Sequence, residues 1–204
     1  IEDGSTLQLG IGSIPDAVLK SLTDKKDLGI HSEMIADGVI DLYEKGIING
    51  ARKTIHKGKI VVAFLMGSQR LYDFVNNNPD VEVLPVDHVN DPWVIGQNSK
   101  MVSINFCLQV DFNGQVNSES MGTQQFSGVG GQLDYIRGSF LSPGGKAILA
   151  MPSTAKKGTL SRIVPVFEAG TTVTTPRTDT HYIVTEHGIA NLRGKSLRER
   201  AKLL

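Results

Sequence analysis

Seven consecutive apolar residues, Ile60 to Met66 (IVVAFLM), follow Lys59 without a polar break. A strand with one wet face alternates polar and apolar side chains. A continuous run this short fits a strand covered on both faces, as in a parallel sheet between layers of helices. Similar runs recur along the chain. Strands are expected at residues 6–10 (TLQLG), 28–31 (LGIH), 59–66 (KIVVAFLM), 81–86 (VEVLPV), 101–111 (MVSINFCLQVD), 114–119 (GQVNSE), 146–152 (KAILAMP) and 181–186 (HYIVTE).

Helical patterns lie between them. At 14–22, IPDAVLKSL sets Ala17, Val18 and Leu22 on one face, with Ser13 as cap, Pro15 in the first turn and Asp16 at the positive end. Helices are also expected at 37–46, stopped by Gly46, at 68–77, at 91–98, and in the tail, where Ser196 and Glu199 have capping-box spacing. Alternating strands and helices specify an α/β fold with a central sheet flanked by helices. Residues 101–152 are richer in strand and glycine, so the sheet is expected to turn from parallel to mixed there. With no repeat, linker or low-complexity tract, residues 1–204 read as one domain.

Composition narrows the function. The 204 residues are 40% hydrophobic, enough for a core, and 21 basic side chains balance 21 acidic ones. Binders of nucleic acid or membrane surfaces use a basic excess, so both classes are disfavoured, although a local basic pocket for one anion is not. The single cysteine, Cys107, has no disulfide partner and sits in a strand-like run, where a buried structural thiol is expected. No apolar run approaches a membrane span and no signal peptide is visible, which reads as a soluble cytoplasmic protein. The chain starts without methionine and stops inside a helical pattern, as a piece of a longer polypeptide would.

Several segments could carry chemistry. LGIGSIPDA turns from strand to helix through Gly10 and Gly12, which lets backbone N–H groups approach an anion at the helix start. An ordinary tight turn reads the same way, since the third glycine of a dinucleotide fingerprint is missing. SGVGGQ, residues 127–132, packs three glycines into four positions, a composition suited to a nest of N–H donors. MPSTAKKGTLSR, residues 151–162, is a basic, hydroxyl-rich loop leaving a buried strand, where α/β proteins build their sites. Glu33, Glu119 and Glu186 each stand at an expected strand end, and pattern alone does not rank them as nucleophile or base. The five histidines lack zinc spacing, and neither a P-loop nor a G-x-S-x-G elbow is present. Trp93 beside Pro92 reads as a packing anchor, and VTEHGIANLRG as the start of a solvated helix.

Taken together, LQLGIGSIPDAVL, GIHSEMIADGVIDL, GQVNSES, SGVGGQLDYIRG, MPSTAKKG and VTEHGIANLRG resemble the acetyl-CoA hydrolase/transferase family, near its 4-hydroxybutyrate and butyryl-CoA:acetate CoA-transferases. The resemblance covers nearly the whole chain. It implies a CoA-transferase-type (NagB/RpiA-like) domain, the C-terminal half of a two-domain protein that pairs as a homodimer. It implies CoA as substrate, no metal, and transfer of CoA from an acyl-CoA, 4-hydroxybutyrate or butyrate as the acyl group, to a carboxylate such as acetate through a glutamyl-CoA thioester. It makes Glu33 the nucleophile, Asn90 an active-site asparagine, and the nest of Gly128, Gly130 and Gly131 the neighbour of the thioester. Gly10, Ile11, Gly12, Ser13, Ile14 and Lys156 would contact CoA. Three other readings are an acyl-CoA hydrolase, a CoA-binding half-domain inactive alone, and a sugar-phosphate isomerase, for which no Lys or Asp base set is found.

Overall fold

The computed structural model describes residues 1–10 and 12–204, without the side chains of Ser13 and Asp16. Its first half alternates β1 (Thr6–Leu9), α1 (Ser13–Ser21), β2 (Gly29–Ile35), α2 (Gly38–Glu44), β3 (Ile60–Leu65), α3 (Gln69–Val75) and β4 (Val81–Val83). Two short helices, α4 (Val86–Val89) and α5 (Pro92–Gly96), lead to β5 (Met101–Phe106). The second half holds the small strands β6 (Gln109–Asp111), β7 (Val116–Asn117), β8 (Ser120–Met121) and β9 (Gln124–Gln125), then α6 (Gln132–Leu141) and β10 (Lys146–Ala150). It closes with β11 (Thr154–Ala155), β12 (Leu160–Ser161), β13 (Ile163–Val164), β14 (Tyr182–Thr185), β15 (Gly188–Asn191) and α7 (Leu197–Leu203).

Eight strands form the main sheet in the order β15-β14-β10-β5-β1-β2-β3-β4. All its pairs are parallel except β14 with β15, so the sheet is mixed at that edge. The chain runs outward from β1 through β2, β3 and β4, then returns to the other side of β1 to lay down β5 and the rest. The boundary between β1 and β5 is therefore a topological switch point, where a crevice opens at the carboxyl ends of the strands.

The apolar runs are buried at the middle of the sheet, but Phe64 and Met66 at the end of the β3 run are 40% and 48% exposed, and Val83 on the edge strand β4 is 52% exposed, so those ends are not covered on both faces as expected. Leu7, Ile30 and Val62 lie in one core cluster under α1 and α2, whereas Leu149, Ile136 and Ile183 lie in another beneath α6. Fully burying one such side chain is worth about 1.5–3 kcal/mol. On α1 the core face is Leu19 and Leu22, while Ala17 is exposed. The cap position is Gly12, with φ 126°, rather than Ser13, because the helix begins one residue earlier than the apolar spacing suggests. Cys107 is fully buried, and burial pushes its thiol up to about 12.

Further expectations need correction. The main sheet stays parallel through β5 and β10, so it turns mixed at β14–β15 and not within residues 101–152. Residues 101–111 are two strands, since the chain leaves the main sheet at Cys107 and β6 pairs instead with β7 and β13. Residues 81–86 give a strand of three residues because Pro85 begins α4. The segment expected to start a solvated helix is the antiparallel hairpin β14–β15, turned at Glu186 and His187, with Gly188 (φ 152°) opening β15. Trp93 is 74% exposed, so within this chain it anchors nothing. No helix among the described residues is long and apolar enough to cross a membrane.

Candidate functional site

Strand β2 was expected to stop near His31; it continues to Ile35, and Glu33 stands inside it, half-buried. Polar residues persist here because the strand passes the switch point. Backbone pairing with β1 covers Thr6–Gly29 and Leu7–Ile30, and farther on the Leu9 N–H donates to Ser32 Oγ at 3.3 Å instead. On the other side, β3 follows β2 to its end.

Two helix ends converge on the Glu33 carboxylate. Asn90, the residue that closes α4, donates from Nδ2 to Glu33 Oε1 at 3.1 Å. Gly131, which caps the N-terminus of α6, donates its backbone N–H to Oε2, also at 3.1 Å. A carboxylate at a helix N-terminus is favourably placed against the exposed N–H dipoles. Glycine at 131 lets the two clamps meet, because a Cβ there would lie 2.5 Å from Asn90 Nδ2 and 3.0 Å from Glu33 Oε2 and those side-chain ends would have to shift. The nest was expected to face a substrate oxygen; here one of its N–H groups grips the side chain read as the nucleophile. Asn90 Oδ1 is buried without a hydrogen-bond partner among the described residues, so within them the amide uses only its donor side.

Glu33 lines a cavity of about 480 Å³. Gln8 and Asn105 form part of its wall through two reciprocal amide hydrogen bonds, each 3.0 Å, across the β1–β5 boundary. Gly10 belongs there too: a Cβ on it would lie 2.7 Å from Asn105 Oδ1. The loop through Phe126, Gly128 and Gly130 forms another wall. Burial raises the Asp134 carboxyl above its usual range, with the nearby Glu33 charge adding to the effect.

The other expected site residues distribute differently. Lys156 lines a second cavity of about 290 Å³ with Arg162 and Glu168, and this cavity shares Leu108 with the first. Lys156 and Lys157 both have left-handed backbones, φ 48° and 57°, a strained geometry that persists only where surroundings enforce it. Ile14 faces a third opening beside Met151 and Glu186, and Gly12 is exposed. Ile11 and the Ser13 side chain lie outside the described residues.

Glu119 and Glu186 have structural partners. The Glu119 carboxylate accepts from Gln125 Nε2, and its carbonyl accepts from the N–H groups of Phe126 and Ser127, which staples the start of the glycine loop. Glu186 accepts from the Ser153 hydroxyl and N–H, which hold its carboxyl well below the usual range. Among the described residues no group of three or more His, Cys, Asp or Glu side chains gathers to hold a metal ion. Sequence reading missed Gln8 and Asn105, although polar side chains in the middle of the apolar runs TLQL and SINF were a visible signal.

A family model described as the acetyl-CoA hydrolase/transferase C-terminal domain matches residues 67–204. The 4-hydroxybutyrate coenzyme A transferase of Clostridium kluyveri is 64% identical across all of this chain, which covers 48% of that protein. Among solved structures, a 4-hydroxybutyrate CoA-transferase from Porphyromonas gingivalis matches with TM-score 0.87 at 53% identity, over 100% of this chain and 47% of the other. RipA from Yersinia pestis matches with TM-score 0.94 at 50% identity, over 99% and 46%. The chain thus spans about half the length of the relatives it matches.

Proposed function

We propose, on the premise that this chain belongs to the acetyl-CoA hydrolase/transferase family, that Glu33 is the nucleophile of a CoA-transferase. The observation that carries the reading is the Glu33 carboxylate itself, clamped by Asn90 and Gly131 beside a cavity at the switch point of the sheet. A solvated carboxylate is a poor nucleophile, and one held by two donors in a half-buried cleft has less water to shed.

A Glu33 oxygen attacks the acyl-CoA carbonyl carbon and the CoA thiolate leaves, giving an acyl–glutamyl anhydride. The thiolate then attacks the glutamyl carbonyl carbon and expels the first acid as its carboxylate, leaving a glutamyl-CoA thioester. The acceptor carboxylate attacks that thioester, the thiolate departs and returns to the new acyl carbon, and Glu33 is regenerated. Each attack on the glutamyl carbon puts negative charge on a Glu33 oxygen. Asn90 and Gly131 sit on different oxygens, so the donor on the oxygen that stays with Glu33 serves as an oxyanion-hole donor while the other releases the oxygen that is acylated; one such donor is typically worth about 3 kcal/mol of barrier. Gly128 and Gly130 serve the oxygen of the substrate carbonyl.

CoA is the substrate, not a resident cofactor. Its phosphates and pantetheine run through the cavity of Lys156 and Arg162, which adjoins the Glu33 cavity at Leu108. Contacts along that handle hold the thioester at the cavity in ground state and transition state alike. The acyl group is 4-hydroxybutyrate or butyrate, the acceptor acetate. The N-terminal half of a longer chain completes the pocket, two copies pair, and the protein works in the cytoplasm.

The test uses protein of the length of its relatives, incubated with butyryl-CoA and reduced with borohydride. Peptide mass spectrometry should find the reduced residue at Glu33; reduction at Glu119, or at no glutamate, overturns the assignment. Acetate-dependent formation of acetyl-CoA separates transfer from hydrolysis, in which water would cleave the same glutamyl thioester without acetate.

A further inference from the structure

The Val89 carbonyl, at the C-terminal end of α4, accepts from no backbone N–H among the described residues, which leaves both of its lone pairs to side-chain donors. It receives two. His31 Nε2 lies 2.9 Å from it and Tyr135 Oη 3.1 Å, and all three residues are fully buried. Burial pushes the imidazole down to about 4, so near neutrality it carries a single proton, and the Val89 contact puts that proton on Nε2. Nδ1 is buried without a partner among the described residues.

Each donor comes from an element that shapes the Glu33 site. His31 precedes Glu33 by two residues on β2, so the two side chains leave the same face of the strand. Tyr135 follows Gly131 by one turn of α6, and its own N–H donates to the Gly131 carbonyl at 3.1 Å. The acceptor carbonyl belongs to the peptide that joins Val89 to Asn90. That peptide is planar, so holding its oxygen fixes the direction in which Asn90 leaves.

We propose that His31 and Tyr135 are positioning residues: through the Val89–Asn90 peptide they aim the Asn90 amide at Glu33 and lock its distance from the Gly131 donor. The inference rests on Glu33 being the nucleophile. Two donors, drawn from the strand of the carboxylate and from the helix of the second clamp, tie the three parts of the site to one atom.

Tyr135→Phe removes one hydroxyl and keeps the ring. In protein of full family length it should lower kcat about 10- to 100-fold and leave the KM for acyl-CoA nearly unchanged. Added to Asn90→Ala it should cost almost nothing more, because both changes remove one interaction. Losses that multiply in the double variant, or a raised KM at unchanged kcat, overturn the proposal. If Tyr135→Phe does not fold, His31→Gln enters the same cycle with the same criteria. A crystal structure of the folded variant reads the inference independently of turnover. The Asn90 amide should have left Glu33 Oε1, and an amide still within hydrogen-bond reach refutes the tie. Absence of any Glu33 adduct in the wild-type protein instead refutes the nucleophile reading, while the structural comparison still decides whether Tyr135 and His31 aim Asn90.

Discussion

Gly131 and Asn90 touch across the Glu33 carboxylate so closely that a single methyl group at 131 would fall 2.5 Å from Asn90 Nδ2. Gly131→Ala should therefore push the two clamps apart without removing either donor. We expect kcat to fall about 100-fold, the scale of a 1 Å misplacement, with little change in melting temperature. Steady-state kinetics beside a thermal melt check this; unchanged kcat would show that the clamp does not matter.

Glu33→Ala should abolish transfer, and Glu33→Asp should leave little, since the shorter side chain withdraws the oxygens from both clamps and from the cavity. Acyl-CoA exchange with labelled acetate measures both variants. Near-wild-type turnover in the alanine variant ends the nucleophile reading.

Lys156 sits in the adjoining cavity, not with Glu33. A contact to the CoA handle binds ground state and transition state alike, so Lys156→Ala should raise the KM for acyl-CoA and spare kcat. The wild-type advantage should shrink as salt is added, because an exposed cation is screened. A loss confined to kcat would move Lys156 into the chemistry.

Burial pushes His31 down to about 4, against an ordinary value near 6.5. Between those values the unfolded chain binds more protons than the folded one, so stability rises with pH. The contribution is complete above about pH 6.5 and is lost as the pH falls towards 4, at roughly 1.4 kcal/mol per unit within that window. Urea unfolding across pH 4–7 should show this slope, reduced by one proton in His31→Gln. An identical slope in the variant would mean that His31 is not the group responsible.

The layered fold was legible because interior strands leave short apolar runs, unbroken in β3 and in the AILA of β10 and broken only by Gln8, Ser103 and Asn105 in β1 and β5. Legibility failed where function intrudes. His31, Ser32 and Glu33 interrupt the apolar run of β2, so the strand was read as ending just where it enters the site. At residues 185–188 a glycine and charged neighbours suit either a helix start or a hairpin, and only pairing with β14 decides. Glu33 and Asn90 were reached through motif resemblance, not periodicity. The contacts behind them were out of reach, since His31 meets Val89 across 58 positions and Gln8 meets Asn105 across 97. Local pattern carries no information about such separations.

Glu33 is mounted on an interior strand of the main sheet, whereas the glycine segment facing it is pinned at Phe126 and Ser127 by the Glu119 carbonyl and at Gly131 by Glu33 itself, with Gly128 to Gly130 an arm between the two pins. Movement during a reaction cycle is expected in that arm and not in the floor. Paired structures, empty and with a trapped adduct, should superpose on the strands and differ in that arm alone.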